Sequence, residues 1–168
     1  NAMEELSKFA IKHNIPVTQT VMGYSTMKRD HSHYAGQIGA LGGKNTNSLA
    51  KQTDLAIAVG TKLADFTTGS WTNFENENFK LVSINVSRFD ANKHLAQAVV
   101  GDARASLNEL SAALGDWKAP DEWNNKSQIE LKAWNEHVDK ESAPTNQEVP
   151  SYVQVVGAVY RNSDPSDI

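Results

Sequence analysis

Apolar residues recur along this chain in two alternating rhythms, one helical and one extended. Over residues 4–13, Leu6, Phe9, Ala10 and His13 share one face at helical spacing, and Asn14 and Pro16 end the run. Residues 15–20 are rich in β-branched side chains and predict a short strand closed by Met22-Gly23. The stretch 54–102 then repeats one unit three times, an apolar strand ending in small or polar residues, at 54–60, 80–87 and 98–102. Strands of this kind alternating with helices predict an α/β fold built on a parallel sheet. Open parallel sheets bind ligands outside the carboxyl ends of their strands, which places Gly60, Asn85, Ser87, Gly101 and Asp102 along one edge.

The connecting segments carry their own signals. Glycine is frequent over 23–44, which reads as loop with short helical pieces, and a helix over 45–53 follows, capped by Asn45 or Thr46. The connection 61–79 is long, and such loops usually bind or cover something. Ser87 caps a short helix over 88–94, and Asp102 caps the next, with Leu107, Leu110 and Leu114 inward and Gly115 as its stop. Beyond it the chain turns polar, and one helix presents Trp123, Leu131, Trp134 and Val138 as a stripe. A last helix over 150–161 is expected to turn Tyr152, Val155, Val156 and Val159 inward, and Ile168 reads as the first residue of a further strand. The expected organisation is an α/β domain over 3–115, a linker with a helix over 116–149, and the start of another domain over 150–168.

At 168 residues the chain holds one well-cored domain and a tail. Sixteen Lys and Arg against 20 Asp and Glu give a net charge of −4, without the basic run that phosphate neutralisation requires, so nucleic acid is not expected as a partner. With no Cys there is neither a disulfide nor a thiolate zinc site, and a cytoplasmic location is the expectation. No apolar run approaches a membrane span, and no leader is read. Asn1-Ala2 ahead of Met3 reads as a tag remnant. A right-handed crossover needs a strand before its helix, so a segment upstream of residue 4 is expected.

Four local patterns are candidates for chemistry. Gly39-x-x-Gly42-x-x-x-x-Asn47 leads into a helix N-terminus, where backbone N–H groups can approach a phosphate, although a glycine loop needs no ligand. In Asp30-His31-Ser32-His33 the two histidines point to opposite sides of an extended segment, and loop histidines are the better reading than a metal site. Ser25 in Gly23-Tyr24-Ser25-Thr26-Met27 lacks the second glycine of a nucleophile elbow. Trp123 and Trp134, three helical turns apart, read as docking anchors.

Taken together, Gly39-Ala40-Leu41-Gly42 with Asn47, the stretches 54–69 and 84–93, and Val100-Gly101-Asp102-Ala103 resemble the central domain of thiamine-diphosphate-dependent enzymes of the acetohydroxyacid synthase type. The match is collinear over about residues 4–114. Asp65-Phe66-Thr67-Thr68-Gly69-Ser70 and Ile84-Asn85-Val86-Ser87-Arg88-Phe89-Asp90 are similar to the trihydroxycyclohexanedione hydrolases of myo-inositol breakdown. The resemblance implies a three-layer, Rossmann-like parallel sheet that lacks its usual first strand here, leaving a gap or one filled by a neighbouring chain. It implies a noncatalytic part of a homo-oligomeric C–C bond hydrolase acting on a cyclic dione. Thiamine diphosphate and Mg are then held by the other domains of the parent chain. Gly101-Asp102-Ala103 is not that family's magnesium motif, since its third glycine is absent. Some relatives use this domain to hold FAD or ADP, and the positions carried over are Gly42, Asn47, Gly60, Lys62, Asn85, Ser87 and Lys93. Asn85 and Ser87 stand where aspartates accept from ribose hydroxyls, so the charge-assisted contact is lost and FAD or ADP is not expected to bind. The alternative is a nucleotide-binding central domain of a synthase or carboligase.

Overall fold

The computed structural model describes residues 1–164. In chain order the elements are α1 (Ala2–His13), β1 (Val17–Gln19), β2 (Tyr34–Gln37), α2 (Lys44–Gln52), β3 (Leu55–Val59), α3 (Asp65–Thr68), β4 (Lys80–Asn85), α4 (Arg88–Ala91), β5 (Gln97–Val100), α5 (Ala103–Leu114), α6 (Asp121–Ser142) and α7 (Tyr152–Asn162). Single 3₁₀ turns occupy Val21–Gly23 and Lys93–Leu95. The chain forms two compact units, Asn1–Leu131 and a second that starts at Lys132.

In the first unit every strand pair is parallel, as an α/β fold requires, but the strands form two sheets, β1–β2 and β3–β4–β5. Among the described residues no strand joins β1 to β3, so the expected gap lies between them. Alternation along β3 and β4 sends side chains to two separate cores. Ile57, Val59 and Ile84 pack with Phe9 and Leu6 of α1 and with Leu107, Leu110 and Leu114 of α5. Ala56, Ala58 and Leu81 face the other way, onto Leu63, Trp71, Phe79 and Ala96. The long connection after β3 therefore covers the second sheet face. A third core joins Ala10 to Met27, Tyr34 and Leu131, with Val17 against it.

The helix ends follow the local chemistry. Asn14 takes the left-handed conformation (φ 53°) and its N–H closes α1 on the Ala10 and Ile11 carbonyls. Ser87 and Asp102 accept from the backbone N–H of Asp90 and Ala105, capping α4 and α5 as expected. The α4 helix is shorter than expected, because the chain breaks into a separate 3₁₀ turn after Asn92.

Three expectations are corrected. The glycine-rich segment contains a strand, β2, hidden because Gly36 sits at φ 98° and interrupts any alternation. Neither Asn45 nor Thr46 caps α2: Gly43 holds the cap position, and the Thr46 hydroxyl donates to the Ala35 carbonyl at 2.8 Å. In the second unit, α7 exposes Tyr152, Val155, Val156 and Val159, whereas Gly157 is its buried residue. A Cβ at Gly157 would lie 2.6 Å from the Ser142 Cβ, and Arg161 Nη1 donates to the Ser142 carbonyl at 3.0 Å, so the glycine–arginine face makes the contact. The expected strand start at Ile168 lies outside the described residues.

Leu107 is the α5 residue at the centre of the first core, 1% exposed against Phe9 and Ile84. Leu107→Ala is expected to cost about 2–5 kcal/mol through lost transfer energy and a residual cavity. A urea denaturation midpoint lowered at unchanged slope checks this.

Candidate functional site

The parallel strands bring the residues singled out in the sequence to the carboxyl ends of β2, β3 and β4, in two groups. The first is held together by Asn47 on α2. Its Oδ1 accepts from the Gly39 N–H at 3.0 Å and from Asn73 Nδ2 at 3.2 Å, and its Nδ2 donates to the Gly39 carbonyl at 3.0 Å. Ala40 N–H donates to the Phe66 carbonyl at 2.8 Å, which ties this loop to α3. Gly42 is required by close approach, since a Cβ there would meet the Gln37 carbonyl oxygen at 2.4 Å. The glycines thus bring backbone against backbone.

The second group is centred on Asn85, buried at the end of β4. Its Nδ2 donates to the Thr61 carbonyl at 3.1 Å and its Oδ1 accepts from the Ser87 N–H at 2.9 Å. Thr61 lies between Gly60 and Lys62, so one amide pins the loops that follow β3 and β4. The Ser87 hydroxyl accepts from the Asp90 N–H at 3.3 Å. Lys93 Nζ donates to Asp90 Oδ1 at 2.7 Å and lies 4.9 Å from the Phe89 ring centroid. The Lys93 hydrogen bond holds the Asp90 carboxyl below the usual carboxylate range against the opposing effect of desolvation; the Ser87 hydrogen bond and the charges of Lys93 and Lys62 add to the lowering. Lys62 itself is exposed, and Gly60 (φ 64°) has open space where a Cβ would stand.

These side chains already serve the fold. Asn47, Asn85, Ser87 and Lys93 spend their polar atoms on neighbouring backbone or on Asp90, leaving Lys62 and the open Gly60 turn facing solvent. What the edge displays instead is apolar. Met22, Leu41, Phe66, Val86 and Phe89 lie in the segments that directly follow β1 to β4, and each is at least half exposed, Met22 at 95% and Phe89 at 76%. Sequence reasoning overlooked them because it looked for chemistry-bearing side chains at strand ends; large apolar residues just past a strand end were the available signal.

The histidine pair is structural. His31 Nδ1 accepts from the His33 N–H at 3.0 Å, which makes Nε2 the protonated nitrogen that donates to the Ser7 hydroxyl at 2.8 Å. His33 Nε2 lies 3.2 Å from Asn14 Oδ1, joining the segment before β2 to the end of α1. Among the described residues no group of three His, Asp or Glu side chains could hold a metal ion. No helix among them is long and apolar enough to cross a membrane.

Burial, and secondarily the charge of His31, lowers the His33 pKa below its ordinary value of about 6.5. The folded chain therefore refuses a proton that the unfolded chain accepts. The stability this contributes is complete above about pH 6.5 and is lost as the pH falls through the folded value. Urea midpoints are expected to fall between about pH 7.5 and 5.5, and His33→Gln should flatten that slope. Asn47→Ala removes three hydrogen bonds and is expected to cost about 1–3 kcal/mol. Faster amide exchange over residues 39–42, with the strand cores unchanged, checks it.

Residues 1–110 match the sequence model of the family described as "Thiamine pyrophosphate enzyme, central domain". Relatives named 3D-(3,5/4)-trihydroxycyclohexane-1,2-dione hydrolase are 37% identical over 139 residues in Clostridium perfringens (strain 13) and 39% identical over 139 residues in Geobacillus thermodenitrificans. A third, in Bacillus cereus (strain ZK), is 42% identical over 109 residues. The first two matches cover 83% of this chain but 22% and 21% of those relatives, and the third covers 65% and 17%. The chain spans about a fifth of their length. The parallel α/β fold agrees with these matches, and the chain belongs to the thiamine pyrophosphate enzyme central-domain family.

Proposed function

We propose that this chain is a noncatalytic central domain of a thiamine-dependent C–C bond hydrolase acting on a trihydroxycyclohexanedione, and that its carboxyl edge docks other parts of that enzyme instead of holding a nucleotide. The observation that carries this reading is the division of labour at the edge: polar groups consumed inside the fold, large apolar side chains presented outside it. A ribose or diphosphate needs free, preferably charged, acceptors and donors. Breaking the Asn85 contacts to supply them would release the loops that follow β3 and β4. Exposed apolar patches suit protein contacts.

Thiamine diphosphate with Mg, when bound, supplies an ylid that attacks a carbonyl and serves as an electron sink. The residues of this chain do not fit that group. Asp102 accepts from the Ala105 N–H at 3.0 Å as the α5 cap, and among the described residues no group of three His, Asp or Glu side chains could hold a metal ion. The cofactor and the metal are therefore assigned to other parts of the parent, along with the substrate-touching residues.

Calorimetry of the chain with FAD, ADP, NAD and Mg–thiamine diphosphate tests the scaffold reading. No binding tighter than about 1 mM is expected. Micromolar binding of FAD or ADP overturns it in favour of a nucleotide-binding central domain of a synthase or carboligase. The full-length enzyme with thiamine diphosphate and Mg is expected to hydrolyse the cyclic dione, and failure to do so overturns the substrate assignment.

A further inference from the structure

The end of α1 gathers a different chemistry, at the opposite end of the strands from the carboxyl edge. Residues 14–16 lead from α1 straight into β1, so His13 sits at the amino ends of the strands. His13 is wholly buried, and its ring packs on Phe9 one helical turn earlier, with the ring centroids 4.8 Å apart. Its Nδ1 lies 2.7 Å from the Trp117 carbonyl oxygen, and its Nε2 lies 2.9 Å from the Ser111 hydroxyl. A carbonyl oxygen only accepts, so Nδ1 carries the proton and the Nε2 lone pair receives the Ser111 O–H. The segment after α5 is laced in place to hold that tautomer. Ala119 N–H donates to the His13 carbonyl at 2.8 Å, and Trp117 N–H donates to the Leu114 carbonyl at 3.1 Å.

Two further observations concern Ser111 itself. Lys12 Nζ donates to its hydroxyl oxygen and to its carbonyl, both at 3.2 Å. An ammonium beside the hydroxyl stabilises the negative charge that grows on the oxygen as its proton leaves. Ser111 also lines a cleft of about 220 Å³ between α1 and α5, whose apolar lining comes from Phe9 and Leu107 and whose polar lining includes Lys8 and Asn108. A nucleophile, a base hydrogen-bonded to it, a group that orients the base and a cation near the developing charge are the parts of an acyl-transfer site. In this one a backbone carbonyl stands where a carboxylate more often orients the histidine.

We propose that Ser111, activated by His13, is a nucleophile that transfers the acyl group of short-chain carboxylic esters to water. The Ser111 oxygen attacks the ester carbonyl carbon while its proton passes to His13 Nε2. The bond from that carbon to the alcohol oxygen breaks, and the alcohol leaves with the proton from Nε2. Water then attacks the acyl-serine, gives a proton to Nε2 and releases the carboxylic acid, and Ser111 regains its proton. The Trp117 carbonyl accepts from Nδ1 throughout, and Lys12 Nζ holds the oxyanion of each tetrahedral intermediate. Phe9 and Leu107 receive the acyl chain. The cycle uses only ester, water and these groups, and stands apart from the hydrolase reading.

A fluorophosphonate probe, which phosphonylates activated serines with loss of fluoride, tests the proposal on the chain as it stands. A single adduct is expected, placed on Ser111 by peptide mass mapping and absent when the chain is unfolded in urea. Ser111→Ala should abolish the label and slow p-nitrophenyl acetate hydrolysis by about 100-fold or more. Lys12→Gln should slow labelling by about 10-fold, less than the loss of a buried oxyanion donor because Lys12 is exposed. His13→Gln should slow it by about 100-fold. Should that variant not fold, the adduct on Ser111 and the two exposed or half-exposed variants decide the matter. No adduct, an adduct elsewhere, or equal labelling of folded and unfolded chain overturns the proposal and leaves the pair a bridge between α1 and α5. Undiminished labelling in a folded His13→Gln variant overturns it as well. Each of these results leaves the thiamine-dependent reading untouched, since the assays contain no thiamine diphosphate.

Discussion

The packing of α1 against both sheets is the contact on which the first unit depends. Phe9 and Ala10 are consecutive, so they address different directions from one helix, one toward β3 and β4 and the other toward β1 and β2. Among the described residues no ladder joins β1 to β3, so these apolar contacts hold the two sheets together. The histidine segment reinforces the arrangement, because His31 and His33 bond to Ser7 and Asn14 at two points along α1. Backbone pairing is directional and fixes register, whereas apolar burial is not. Cooperativity between the sheets therefore passes through a helix instead of a ladder, and amide exchange near the junction should report it before exchange at β4.

At the carboxyl edge the polar side chains clamp the loops of the fold. An aspartate at position 85 would put a charge beside the Thr61 carbonyl, where no donor balances it. Asn85 instead supplies the Nδ2–H that this carbonyl accepts, and its Oδ1 takes the Ser87 N–H. The Asn85 amide thus acts as a clamp between the two loops. Ser87 is likewise better suited to its present place, since a hydroxyl caps α4 while Asp90 is already occupied by Lys93.

Much of this architecture was legible in the residues. The three strands between positions 54 and 102, the caps at Ser87 and Asp102, and the leucine face of α5 follow from spacing and local chemistry alone, because each depends on neighbours within a few residues. The strand at Tyr34–Gln37 was not legible, since a glycine at positive φ breaks its alternation and its pairing partner lies in β1, seventeen residues away. The face of α7 was misread for a related reason. Four apolar side chains suggest a buried stripe, yet the close approach to Ser142 selects the side with no side chain at Gly157. Periodicity reports which face is greasy, and contact geometry decides which face is used.

The candidate site was legible as a location and illegible as a function. Strand-end polarity pointed to Asn85 and Ser87, which lie at the carboxyl end of β4, whereas Lys93 entered only through the family resemblance and lies in the turn after α4. Whether their donors and acceptors face a ligand or each other depends on loop conformations that one sequence does not specify. Here the 60–63 loop turns back so that Thr61 meets Asn85 and the Leu63 carbonyl meets His94, which in turn stacks on Trp71 at 4.1 Å. That stack anchors the connection after β3 over Ala56, Ala58 and Leu81. The long loop is committed to covering the sheet. The loops of this edge are thus held by contacts within the fold, while Leu41, Phe66 and Phe89 stay exposed beside them.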